Sequence, residues 1–166
     1  MSEAIRERLC DAAEARLRTG GYNAVSFRHL ADDVGIKSAS VHYHFPTKAD
    51  LGQAVAERYA VRFLERLDTA VATGDPVIAV LVSLFRQALV DDGKMCLCGV
   101  IAAESGGLPP AVSAEAAQFL AALMERVDAE HPGQGAAVVA RLEGAMLLAH
   151  VSGDVTLYDR AVAGLA

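Results

Sequence analysis

Residues 26–51 read SFRHLADDVGIKSASVHYHFPTKADL, and this stretch decides the fold. Ser26 is a helix-capping residue placed just before an apolar set at i, i+3, i+4 and i+7: Phe27, Leu30, Ala31 and Val34. Gly35 then offers the left-handed turn that closes such a helix. A further helix starts near Ser38 and must stop before Pro46, with Val41 and Phe45 on its inward side. Two short helices joined by a tight turn containing Gly make a helix-turn-helix. Thr47-Lys48-Ala49-Asp50 reads as a capping box that opens a long fourth helix.

Upstream, Ile5, Leu9, Ala12, Ala13 and Leu17 form one apolar face of a first helix that ends at Gly20-Gly21. Downstream, Leu51, Val55, Tyr59, Phe63 and Leu67 recur every four residues. Four residues turn about 400°, so this stripe drifts roughly 40° per step and winds around its helix. Such a helix can pack on the head with its first turns and on the body with its last. Asp75 reads as the cap of the next helix, with Pro76 in its first position. Segments 95–105, 112–127, 134–151 and 155–165 complete the count, separated by Gly93, residues 106–110, His131-Pro132-Gly133 and Ser152-Gly153. The expected fold is all-α: a three-helix, homeodomain-like head over residues 1–50 and a helical body over 51–166, about nine helices in all.

Composition agrees. Hydrophobic residues make up 53% of 166, aromatics only 5%, and the apolar share is rich in Ala, the best helix former. No apolar run approaches the roughly 20 residues of a membrane span. Charged residues precede the first apolar stretch, and three Cys are an odd number, so a reduced cytoplasm without membrane attachment is the expected setting. The net charge of -6 argues against nucleic acid taken alone, but residues 1–50 hold seven basic and seven acidic groups. The acidic excess lies entirely after residue 50, which leaves a neutral head on an acidic body.

The segment 26–51 resembles the DNA-binding region of the TetR family. Phe27, Leu30-Ala31, Val34-Gly35-Ile36, Tyr43-His44-Phe45, Lys48 and Leu51 carry the resemblance. Many members have Ser-Lys-Gly where this chain has Lys37-Ser38-Ala39, so the positive charge has moved by one residue. The resemblance implies a homodimeric repressor that holds a palindromic operator and releases it on binding a small effector. A recognition helix meets base edges with its first residues, here Lys37, Ser38, Ala39 and Ser40. Lys37 suits guanine and Ala39 a thymine methyl. His42, Tyr43, His44, Ser26, Arg28 and the amide end of the helix at Lys48 are placed for phosphates.

The resemblance also implies an effector pocket in the body. Phe63, Phe85, Met95, Phe119, Met124 and Met146 are its candidate apolar wall, with Arg62, Glu104 and His150 as polar anchors. The last two long helices resemble a pair that builds a four-helix dimer interface. Ala136, Ala137, Ala140 and Gly144 would let those backbones approach closely, and the 134–151 helix is apolar nearly all round.

No metal or cofactor is expected. His42 and His44, two residues apart on a helix, point about 200° away from each other, and a helical Cys96–Cys98 pair meets the same objection. No P-loop, GxSxG or HExxH pattern occurs, and no Ser, His and acid set stands out, so an all-helical enzyme is a weak alternative. A redox sensor acting through Cys96 and Cys98 is the other alternative, against the plainer reading of these cysteines as buried, inert thiols.

Overall fold

The computed structural model describes residues 2–91 and 93–165. Nine α-helices and two short 3₁₀ turns occur among them, with no strand. The head consists of α1 (Ser2–Gly20), α2 (Phe27–Val34) and α3 (Ser38–His44). The body follows as α4 (Lys48–Ala72), α5 (Val77–Val90), α6 (Leu97–Ala103), α7 (Pro110–Glu130), α8 (Gly135–Ser152) and α9 (Val155–Val162). The 3₁₀ turns lie at Tyr22–Ala24 and Ser105–Gly107.

Local chemistry sets the head. The Ser26 hydroxyl accepts the His29 amide at 3.2 Å, which starts α2. Gly35, at φ 72°, ends it, and the Ile36 amide returns to the Ala31 carbonyl at 2.9 Å. The Thr47–Asp50 capping box is complete: the Asp50 amide donates to Thr47 Oγ1 at 3.1 Å, and the Thr47 amide to Asp50 Oδ2 at 2.9 Å. Leu9, Ala13, Leu17, Leu30, Val34, Val41 and Phe45 bury themselves in the head core, and the whole stripe from Leu51 to Leu67 is buried along α4.

The body departs from the sequence reading at three places. Asp75 is not the cap of α5; Pro76 occupies that position with extended backbone, and the helix begins at Val77. The Val77 amide is met instead by the Glu130 carboxylate from the end of α7, at 3.3 Å. Segment 95–105 is helical only from Leu97 to Ala103 before tightening into the 3₁₀ turn. The last helix is short, eight residues ending at Val162 rather than reaching Leu165. Arg141 on α8 accounts for that end by donating to the carbonyls of Ala161 and Ala163.

Helix α8 packs on α5, α7 and α9 through Val138, Leu142, Met146 and Ala149. Its other side carries Ala137, Ala140, Gly144, Leu147, Leu148 and Val151 to the surface, the last of them 77% exposed. Among the described residues α8 is also the one helix long and apolar enough, by length and composition, to cross a membrane.

Candidate nucleic-acid interface

The head anchors α3 on one side and leaves the other side bare. Arg16 grips both oxygens of Asp33 at 2.7 and 2.9 Å, and Arg8 donates to the Val34 carbonyl at 2.7 Å, so α1 is tied to α2. The Arg16 guanidinium holds the Asp33 carboxyl below its ordinary range, which neutralises one of the two acids at the end of α2. Val41 and Phe45 anchor α3 from below, with Arg6 stacked on the Phe45 ring.

Lys37, Ser38 and Ala39 stand exposed at the start of α3, and Ser40 is half-buried behind them. Tyr43, 79% exposed, projects one turn further on. A large aromatic left that bare on a packed scaffold is unusual unless something covers it. Arg28 is exposed on α2, and neither it nor Lys37 has an ion-pair partner among the described residues. His42 packs edge-on against Phe27 and His44 against Tyr43, so the two imidazoles buttress neighbouring rings. Ser26 spends its hydroxyl on the α2 cap.

Lys48 differs from the rest. Its amine lies 4.2 Å from the centre of the Tyr22 ring, and burial lowers its pKa, partly offset by the nearby Glu104 charge. It faces the junction of head and body.

The body residues divide. Phe63, Phe85 and Phe119 come together with rings edge-on, 5.2 to 5.6 Å between centroids, and all three are buried. Met146 is also buried, its sulfur accepting the Cys96 amide. Met95 is half-buried and offers its carbonyl to Arg18 at 2.8 Å. Met124 is half-buried on α7, its carbonyl close beneath Gly135. Glu104 turns to the Tyr22 amide, and His150 lies on the exposed side of α8. Arg62 sits beside Phe63 at the rim of the open clefts between α1, α4 and α5.

Several structurally central groups escape a residue-by-residue sequence reading. Glu7, Asp11 and Glu14 on α1 meet Arg58 and Arg62 on α4 in a ladder, with contacts between 2.5 and 3.6 Å. Matching charge spacing on the two helices is the signal that could have found it. Glu143, on α8, buries its carboxyl against Gly99 and Cys96, and one of its oxygens has no hydrogen-bond partner. Cys96 and Cys98 are wholly buried, and burial raises both thiol pKa values, the opposite of a reactive thiolate's environment.

An anchored short helix presenting exposed polar residues, an aromatic and cations without ion-pair partners is the layout by which a helix-turn-helix reads DNA. Known proteins share this layout. The family described as "Bacterial regulatory proteins, tetR family" matches residues 9–55. A TetR transcriptional regulator from Legionella pneumophila is 28% identical, with 93% of this chain and 91% of that one aligned at a TM-score of 0.86. A TetR-family regulator from Agrobacterium tumefaciens aligns at 0.89 over 97% of this chain and 95% of its own, at 23% identity. The reduced form of NemR from E. coli shares the fold at 0.81, with 19% identity over 96% and 94%. No curated protein is significantly similar in sequence. The family match spans the helix-turn-helix and the start of α4, and the solved regulators share the fold along nearly the whole chain.

Proposed function

We propose that this protein is a cytoplasmic repressor that grips a palindromic operator as a homodimer and lets it go when a small effector enters the body. The observation that carries this reading is α4, one unbroken helix of 25 residues. Its capping box closes the head, and its later turns wall the clefts of the body. Whatever shifts the far end of that helix moves the reading head. The functional division is residues 1–50 for DNA and 51–166 for effector and partner.

In this reading Lys37, Ser38, Ala39 and Ser40 meet base edges, while Arg28, Tyr43 and the flanking His42 and His44 meet phosphates. Lys48 contributes through the backbone end of α4, its amine being committed to Tyr22. The exposed stripe of α8 supports a second copy as partner, because Leu147, Leu148 and Val151 form a contiguous apolar surface beside the small residues Ala140 and Gly144. The buried Phe63–Phe85–Phe119 cluster supports an effector site that opens by side-chain movement rather than a cavity standing ready.

A modest coupling of about 1–3 kcal/mol, roughly 5–150-fold in affinity, suffices for release, and linkage makes it reciprocal. Small molecules that release operator DNA are titrated calorimetrically into free and operator-bound dimer. The reading requires weaker binding to the complex by the same factor that the molecule weakens DNA. Equal affinities would rule out ligand-released repression.

A further inference from the structure

We propose that the hollow where α1, α4 and α5 meet is a binding site for a small amphipathic anion, and that its charged head competes with Glu14 for Arg62. The anion is a carboxylate or phosphate on an apolar body. The regulatory half of this statement rests on the effector reading above; the binding half does not.

Three adjoining spaces share Arg62 in their walls. A recess of about 260 Å³ reaches in to Tyr59 and Phe63. A cleft of about 850 Å³ runs outward along α4 and α5, within the size range that small ligands occupy. A hollow of about 190 Å³ lies against α1. Apolar surface from Phe63, Leu84 and Ala88 lines the recess, and Arg62 and Arg66 stand at its rim.

The ion pairs at that rim are unevenly shared. Arg62 and Arg66 are one helical turn apart on the same face, an arrangement that costs free energy unless an anion lies between them. Arg66 has only the neutral side-chain oxygen of Gln87, at 2.7 Å, and no acid within ion-pair distance among the described residues. Arg62 has Glu14, at 2.5 Å. That single carboxylate also faces Arg18 at 3.8 Å and Arg58 at 3.6 Å, so three guanidiniums draw on it. Glu65 and Asp75 line the outer cleft and Asp91 the recess, but none of them forms an ion pair with either arginine. A planar guanidinium pairs best with a carboxylate or phosphate that can take two of its hydrogen bonds. An anionic head seated between Arg62 and Arg66 gives Arg66 the charged partner it lacks and places its apolar tail against Phe63. Drawing Arg62 away from Glu14 loosens a tie between α4 and α1, the helix that carries Leu9, Ala13 and Leu17 of the head core.

The test is calorimetric titration of the full-length protein with octanoate, octyl phosphate and the neutral octanamide. At least one anion is expected to bind tenfold or more tightly than octanamide, and the two anions separate carboxylate from phosphate as the preferred head. Arg66→Gln, an exposed change whose folding is checked by circular dichroism, is expected to abolish the preference. Glu14→Gln is expected to strengthen anion binding several-fold by removing the competitor. Equal binding of octanamide, no binding of any probe at millimolar concentration, or a preference that survives Arg66→Gln overturns the proposal. Selective anion binding that leaves operator affinity unchanged overturns the regulatory half of the proposal and leaves the site standing.

Discussion

The Glu104 carboxylate accepts the backbone amide of Tyr22 at 2.8 Å, joining the end of α6 to the first turn after α1 across 82 positions of sequence. Gly21 makes the approach possible. Its φ of 73° and ψ of -174° lie where only glycine is comfortable, and a Cβ there would collide with the Glu104 carboxylate. Lys48 closes the same junction over the Tyr22 ring. Head and body are therefore latched by a charge-assisted hydrogen bond as well as by α4. Gly21→Ala should cost about 1–3 kcal/mol in urea unfolding, and Glu104→Ala about 1.5–3 kcal/mol. Unchanged midpoints in both variants would show that the latch contributes nothing.

On the DNA side, Tyr43→Ala should weaken binding to all sequences alike, as expected of a phosphate contact. Lys37→Ala should instead relax preference at one base position at a cost of about 1–3 kcal/mol. Fluorescence anisotropy on a set of single-base operator variants separates the two. A reversed pattern would exchange their roles.

Glu143 gives a pH signature. Burial raises its carboxyl pKa from 4.5 to about 7, opposed by a hydrogen bond from Cys96. A carboxyl whose folded pKa is raised favours folding in its neutral form. That contribution is complete below about pH 4.5 and is lost as pH rises through about 7. Glu143→Gln removes the penalty of charging, so the variant should be more stable than the parent by about 1–3 kcal/mol at pH 8 and little different at pH 5. Urea unfolding at the two pH values measures this. A variant equally shifted at both would mean the carboxyl does not titrate in that window.

The bare stripe of α8 predicts the oligomeric state. Gly144→Glu or Leu148→Glu should give monomers or insoluble protein by light scattering, since each puts a charge where a second apolar surface is expected. A well-behaved, unchanged dimer in both variants would move the interface elsewhere.

How much of this was legible in the sequence follows the range of each interaction. The α2 cap at Ser26, the left-handed Gly35 and the Thr47–Asp50 box involve residues a few positions apart, and the structure has them where the spacing put them. The cap of α5 comes from Glu130, 53 positions away, so the local pattern pointed wrongly to Asp75. The end of α9 is set by Arg141, which no pattern within α9 could show. The same distinction divides the candidate site. Exposure of Lys37, Ser38, Ala39 and Tyr43 follows from helical periodicity, whereas the inward turn of Lys48 and the Glu104–Tyr22 bond depend on elements far apart in the chain. In the body, hydrophobicity alone could not say which apolar residues close on one another and which face open space.

Selection of bound fragments from a random DNA pool by the purified full-length protein tests the central claim most directly. The account predicts enrichment of a two-fold symmetric site whose half-sites lie about one helical turn, roughly 10 base pairs, or a multiple of it apart. A pool that returns no preferred sequence, or only an asymmetric one, would contradict it.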